Sequence, residues 1–129
     1  MRILLAEDNI DNREMLTRRL ERKGFTVISA VDGKEATERA RDSAPDLILM
    51  DVSMPVMSGI EATIAIRNDG VDKDVPIIAL TAHAMDGDRM KCLDAGCNDF
   101  ATKPVDFKLL QQLIEKHSRG EAAKAAAVR

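Results

Sequence analysis

Apolar residues along this chain fall into short continuous runs, which alternate with longer segments of helical spacing. Four runs rich in isoleucine, leucine and valine, and a weaker fifth, predict strands at Ile3–Ala6, Val27–Ala30, Leu47–Met50, Ile77–Leu80 and Phe100–Thr102. Because the apolar residues are consecutive and do not alternate with polar ones, we expect both faces of these strands to be buried.

The spacing predicts five helices, over Asp11–Lys23, Asp32–Ser43, Ser58–Asn68, Asp86–Ala95 and Asp106–Ser118. Several of their ends carry capping residues. Ser58 and Glu61 have the spacing of a capping box. Gly24 and Gly96 suit the position just past a helix end, and the last helix is expected to stop before Gly120.

Strand and helix alternate five times, which predicts an α/β fold with a parallel sheet, right-handed crossovers and helices on both faces. We expect the doubly wound, flavodoxin-like (βα)5 strand order 2-1-3-4-5, which follows from the fold class and not from individual residues. One domain would cover residues 1–118. The alanine-rich tail, 119–129, could extend the last helix or fray, and a frayed or partly helical end is favoured. The tail is too short for an output domain.

Composition narrows the function classes. The 129 residues carry a net charge of -3 and include no Trp or Tyr, which disfavours nucleic-acid binding. No apolar run approaches the roughly 20 residues of a membrane span, and the first residues do not form a signal peptide. We therefore expect a cytoplasmic protein without membrane contact. Cys92 and Cys97 lack the spacing of a redox or zinc motif and are interpreted as packing residues.

Polar residues follow four of the predicted strands directly. Glu7 and Asp8 follow the first strand, Asp51 the third, Thr81 the fourth and Lys103 the fifth. The carboxyl ends of parallel strands meet at one edge of a sheet, so these side chains are expected to converge there.

Three clustered carboxylates repel one another unless a cation or a proton intervenes. Ligands that are all oxygen atoms indicate Mg²⁺, with Mn²⁺ as a substitute, and not zinc. An aspartate beside such a metal can form an acyl phosphate, which makes Asp51 the candidate nucleophile. Lys103 and Thr81 would then supply a positive charge and a hydroxyl donor to phosphoryl oxygens.

Two other functions share parts of this pattern. A flavin- or nucleotide-binding protein has the same fold, but the loop Glu7–Asn9 would repel phosphate in the absence of a metal. A magnesium-dependent phosphatase usually places its nucleophile in an Asp-x-Asp pair, and Asp51–Ser53 lacks the second acid. A P-loop enzyme is excluded because the chain has no G-x-x-x-x-G-K motif.

Taken together, the motifs resemble those of the receiver domains of bacterial two-component response regulators. The similarity runs from about Arg2 to Lys116 and rests on Ile3–Asn9, Pro45–Pro55, Ser58–Gly59, Pro76–Ala82, Ala95–Gly96 and Lys103–Pro104. The segment Leu80–Met85 is most similar to stand-alone regulators and hybrid-kinase receivers.

The resemblance implies a role for each matched position. Asp51 would be the phosphoacceptor, and Asp8, Asp51 and the backbone carbonyl of Ser53 would bind Mg²⁺ directly, with Glu7 acting through water. Thr81 and Lys103 would bind the phosphoryl group. The resemblance also implies that Phe100 is the aromatic residue that switches conformation and that the bond between Lys103 and Pro104 is cis. Ser53 and His83 would tune the phosphoryl lifetime.

The implied function is that of a signalling switch and not of an enzyme acting on external substrates. A histidine kinase or histidine phosphotransfer protein would donate the phosphoryl group. A downstream protein would read the face formed by helix 4, strand 5 and helix 5. A monomer is expected, with dimerisation after phosphorylation left open. The chain start suggests a native single-domain protein, and a receiver excised from a larger protein is the alternative.

Overall fold

The computed structural model describes residues 1–54, 56–69, 74–82 and 86–128, with the side chains of 69, 86–89 and 118–128 left out. Five strands and five helices alternate along the chain. They are β1 (Arg2–Ala6), α1 (Ile10–Arg22), β2 (Thr26–Ala30), α2 (Gly33–Ser43), β3 (Leu47–Asp51), α3 (Gly59–Asp69), β4 (Ile77–Thr81), α4 (Asp86–Ala95), β5 (Asp99–Thr102) and α5 (Phe107–Val128).

The five strands form one parallel sheet in the order β2-β1-β3-β4-β5, which confirms the predicted flavodoxin-like arrangement. Strands β3 and β4 are buried throughout, and β1 is buried from its second residue. This burial agrees with the continuous apolar runs of the sequence, since helices cover both faces of the sheet.

Two apolar clusters lie on opposite faces of the sheet. Successive residues of a strand point to opposite sides, so Ile3 and Leu5 join one cluster while Leu4 joins the other. Helices α1 and α5 contribute to the first cluster, and α2, α3 and α4 to the second. Cys92 and Cys97 are buried in the second cluster, as expected of packing residues.

Several helix ends follow the predicted capping chemistry. The backbone N–H of Glu61 donates to Ser58 Oγ and that of Ser58 donates to Glu61 Oε1, both at 3.2 Å, which is the predicted capping box. Gly24 follows α1 with φ of +93°, a value that glycine adopts without a steric penalty. Helix α1 begins at Ile10, one residue earlier than predicted, because Asn9 provides its cap.

The predicted end of α5 at Ser118 was wrong, because the helix continues to Val128. A single glycine inside a helix costs only about 1 kcal/mol relative to alanine, and the residues that follow Gly120 are mostly alanine. Whether 119–129 stands apart from the domain stays a prediction. Among the described residues, no helix combines the length and apolarity that a bilayer span requires.

Candidate functional site

The candidate site lies at the carboxyl ends of β1 and β3. These two strands are neighbours, with Ala6 beside Met50 in the register. The chain leaves β1 into α1 on one face of the sheet and leaves β3 towards α3 on the other. A crevice opens where consecutive connections diverge in this way, and ligands of open α/β sheets bind there.

Three carboxylates meet in this crevice. Glu7 is 0% exposed and Asp51 is 2% exposed, whereas Asp8 lies at the surface. One oxygen atom from each lies within 4.8 Å of the others, close enough for all three to contact a single ion. Oxygen-only donors with room for water suit a hard divalent cation such as Mg²⁺. The predicted cluster of Glu7, Asp8 and Asp51 is therefore brought together.

Lys103 reaches both buried acids from the end of β5. Its Nζ atom lies 2.8 Å from Asp51 Oδ2 and 3.0 Å from Glu7 Oε1. Its backbone N–H donates to the carbonyl of Thr81 at 2.7 Å, which ties the end of β5 to that of β4. The bond from Lys103 to Pro104 is cis, as the resemblance implied.

These contacts set the protonation states of the site. Burial raises the pKa of Glu7 to about 7, and its hydrogen bond with Asp51 acts in the same direction. Burial alone would raise the pKa of Asp51 as well, but hydrogen bonds with Glu7 and Lys103 outweigh it and lower that pKa. The two acids likewise outweigh burial at Lys103 and raise its pKa. Near neutral pH, a proton held between the two acids therefore resides on Glu7.

Thr81, Phe100 and Ser53 are the other predicted site residues that the structure describes. Thr81 is buried at the end of β4, and Phe100 on β5 is half-buried against the second apolar cluster. The exposed Ser53 donates its backbone N–H to Asp51 Oδ1 at 3.0 Å, and metal binding by its carbonyl stays a prediction. His83 lies outside the described residues.

Arg13 also contacts the site, although no sequence motif indicated this residue. Its Nη1 atom donates to the backbone carbonyl of Glu7 at 2.8 Å and contacts that of Asp8 at 3.4 Å. A guanidinium group thus holds the backbone that carries both acids. In the sequence, Arg13 looks like one of several surface arginines of α1, so no sequence feature distinguished it from the others.

Comparison with known proteins places this geometry in a family. The family model "Response regulator receiver domain" matches residues 3–115. Hybrid signal transduction histidine kinase I of Dictyostelium discoideum is 43% identical over 120 residues, which cover 88% of this chain and 7% of that kinase. The chain thus spans a small part of that relative's length.

Two solved structures match over most of their length. The receiver domain of sensor histidine kinase PA1611 from Pseudomonas aeruginosa, which has a magnesium ion coordinated in its active site cleft, is 42% identical with a TM-score of 0.83, covering 89% of this chain and 94% of that one. The co-crystal structure of the Saccharomyces cerevisiae histidine phosphotransfer protein Ypd1 with the receiver domain of Ssk1 matches at 35% identity and a TM-score of 0.83, covering 88% and 86%.

Mg²⁺ binding should weaken as the pH falls below about 7, because Glu7 then holds a proton that the ion must displace. The folding of the metal-free protein has the opposite pH dependence. The raised pKa of Glu7 contributes stability to the metal-free protein that is fully present below the ordinary value near 4.5 and is lost as the pH rises through about 7. Isothermal titration calorimetry on both sides of this pH, in buffers of different ionisation enthalpy, measures affinity and proton release together.

Glu7→Gln provides the control for this titration. It keeps the shape of the side chain but cannot ionise, so the affinity of the variant should change little across the same pH range. An equally steep pH dependence in parent and variant would assign the proton to another group.

Proposed function

This chain belongs to the response regulator receiver family of two-component systems, and we propose that it accepts a phosphoryl group on Asp51 from a phosphohistidine donor. The proposal rests on the groups that surround the Asp51 carboxylate. It is a buried carboxylate held anionic by Lys103, next to two further acids that can bind a divalent cation. As a receiver, it acts as a switch that assists its own phosphorylation and dephosphorylation.

The carboxylate of Asp51 is oriented for nucleophilic attack. Lys103 Nζ contacts Oδ2, and the backbone N–H of Ser53 donates to Oδ1. In the transfer, an Asp51 oxygen forms a bond to phosphorus while the phosphorus–nitrogen bond of phosphohistidine breaks. The electron pair of that bond returns to the imidazole of the donor. Positioning and charge neutralisation account for most of the catalysis in such a reaction.

We propose that Asp8 and Asp51 bind Mg²⁺, with Glu7 contributing through water. When bound, the ion neutralises negative charge on the acids and on the phosphoryl oxygens. The related receiver of PA1611 holds magnesium in its active site cleft. The donor set of this chain supports the same cation, since the clustered ligand atoms of the described residues are carboxylate oxygens.

Lys103 has a second role once Asp51 is phosphorylated. The acyl phosphate removes the carboxylate charge that Lys103 contacts and places about 1.5 to 2 negative charges on the phosphoryl oxygens. The ammonium group can follow that charge by a short movement, because Lys103 is only partly buried, with 22% of its side chain exposed. The Thr81 hydroxyl would bind another phosphoryl oxygen.

The donor is proposed to be a histidine kinase or a histidine phosphotransfer protein. The receiver of Ssk1 matches this chain and was crystallised with the phosphotransfer protein Ypd1. Hybrid histidine kinases carry matching segments as well. Nucleic acid is not a proposed partner, since the net charge is -3.

Output is proposed to pass through Phe100 to the face formed by α4, β5 and α5. A groove of about 610 Å³ lies along β5 and α5, with Phe100, Pro104, Leu109 and Leu113 among the residues that line it. Movement of Thr81 towards a phosphoryl group would leave space that the Phe100 ring can enter. The wall of the groove would then change shape, and a partner protein could detect the difference.

Asp51→Asn should abolish phosphorylation, because the amide cannot act as the nucleophile. Incubation with acetyl phosphate and Mg²⁺ should add one phosphoryl group to the parent by intact-mass spectrometry, and none to the variant. Asp42→Asn, an exposed change on α2, is the control and should be labelled like the parent. Full labelling of Asp51→Asn would refute the assignment of the acceptor.

The phosphoryl lifetime should depend on Ser53 and His83, the residues two positions beyond Asp51 and Thr81. In the family these positions flank the path of the attacking water. Dephosphorylation rates of Ser53→Ala and His83→Ala should differ from that of the parent, while Ser29→Ala on β2 leaves the rate unchanged. Parental rates in both variants would contradict the hypothesis.

Replacement of Phe100 by alanine should uncouple the output face from the acidic pocket. Beryllofluoride should shift backbone NMR signals of the parent both around Asp51 and along β5 and α5. In Phe100→Ala the second set should stay unshifted. Phe25→Ala is the matched control, since Phe25 is also half-buried but packs against the opposite apolar cluster.

The same experiment can contradict the output proposal. If the parental shifts are confined to the pocket and both states capture the same partners from a lysate, the chain acts as a phosphate relay without an output face.

A further inference from the structure

The loop that follows the acceptor strand is held in place by the first residue of α2. Gly33 is buried, and its backbone N–H donates to the carbonyl of Met57 at 3.1 Å. The first N–H groups of a helix lack partners within the helix, so Met57 satisfies one of them. Farther along α2, Thr37 Oγ1 lies 3.9 Å from Met57 Sδ. Met57 is thus docked on the start of α2.

This approach is close enough to exclude any side chain at position 33. A β-carbon there would lie 2.7 Å from the carbonyl carbon of Met57 and 2.9 Å from its Cβ, and nearer still to its carbonyl oxygen. Real β-carbons do not approach backbone atoms so closely. Since the obstructing atoms are mainly backbone, the loop itself would have to move.

The other end of the loop cannot absorb that movement. Gly59 begins α3, and its N–H donates to the carbonyl of Val52 at 3.2 Å. A β-carbon at Gly59 would lie 2.8 Å from the carbonyl carbon of Asp51. The start of α3 is therefore already pressed against the end of β3. A displacement of Met57 must therefore be taken up on its N-terminal side, in the direction of Ser53.

We propose that Gly33 is a positioning residue of the phosphoacceptor site. It lies on α2 and acts through Met57 on the loop whose Ser53 N–H orients the Asp51 carboxylate. The proposal rests on the proposed function, since it concerns the same Mg²⁺ and phosphoryl site. Substitutions that reposition a metal ligand from outside commonly cost about tenfold in metal affinity.

Glycine is often required where the backbone has a positive φ, and the backbone conformation at Gly33 shows that this is not the reason here. Gly33 does not have a φ in the left-handed region, whereas Gly24 has φ of +93° with nothing within 4 Å of the position of its β-carbon. Alanine at 33 is therefore disfavoured by contact with the loop. Alanine at 24 is disfavoured by its own backbone, without contact to any other part of the chain.

Gly33→Ala and Gly24→Ala form the test pair. Both variants should lose stability in urea melts followed by circular dichroism. Calorimetric titration with MgCl₂ should show an affinity about tenfold lower for Gly33→Ala and a parental value for Gly24→Ala. The rate of phosphorylation by acetyl phosphate at saturating Mg²⁺ should fall in the first variant alone. Equal Mg²⁺ affinity in Gly33→Ala and the parent would overturn the proposal.

A second pair keeps the proposal testable if Gly33→Ala does not fold. Met57→Gly removes one of the three obstructing atoms, so the double variant Gly33→Ala, Met57→Gly should fold. The carbonyl carbon and oxygen of residue 57 still lie too close to a β-carbon at 33, so the loop should remain displaced. Its Mg²⁺ affinity should stay below that of Met57→Gly alone, and equal affinities would overturn the proposal. A parent that neither binds Mg²⁺ nor is phosphorylated on Asp51 would refute the proposed function itself, which is a different result.

Discussion

The contact of one ammonium group with two buried carboxylates is the interaction on which the site depends. Glu7 and Asp51 are withdrawn from water at the ends of adjacent strands, where an uncompensated carboxylate is strongly destabilised. Lys103 reaches both of them from β5, which lies beyond β4 in the sheet. The three groups stabilise one another only when β1, β3 and β5 are in register. The site is therefore a product of the whole sheet and not of one segment.

One ammonium group still cannot neutralise three acids. In the absence of a cation, the remaining charge is relieved by a proton, and burial together with Asp51 places that proton on Glu7. A divalent cation among the same oxygens relieves the charge in another way. Proton and metal are thus alternatives at this site. In the metal-free protein, hydrogen bonds with Glu7 and Lys103 lower the pKa of Asp51 and keep it anionic. The proposed nucleophile is therefore charged before the metal or the phosphoryl donor arrives.

The sequence predicted the features that depend on local pattern and topology. Continuous apolar runs indicated buried parallel strands, and the residues just past them converged as expected, since the carboxyl ends of parallel strands share one edge. It could not predict contacts between backbone and distant side chains, such as Arg13 on the Glu7 carbonyl or Gly33 against Met57. It also placed the end of α5 too early, because glycine is a weak stop signal when a strongly helix-forming segment follows.

The same contacts that hold the site together determine where a change in its charge is transmitted. The backbone N–H of Lys103 donates to the carbonyl of Thr81, so the two residues proposed to bind the phosphoryl group are joined and a displacement of one is shared by the other. Phe100 lies on β5, three residues before Lys103, and is only half-buried. On the opposite side of Asp51, Met57 is in close contact with Gly33, and Gly59 is in close contact with the end of β3. A new charge at Asp51 therefore has a constrained loop on one side and a partly exposed aromatic ring on the other. Of these two sides, the one formed by β5 has room to move.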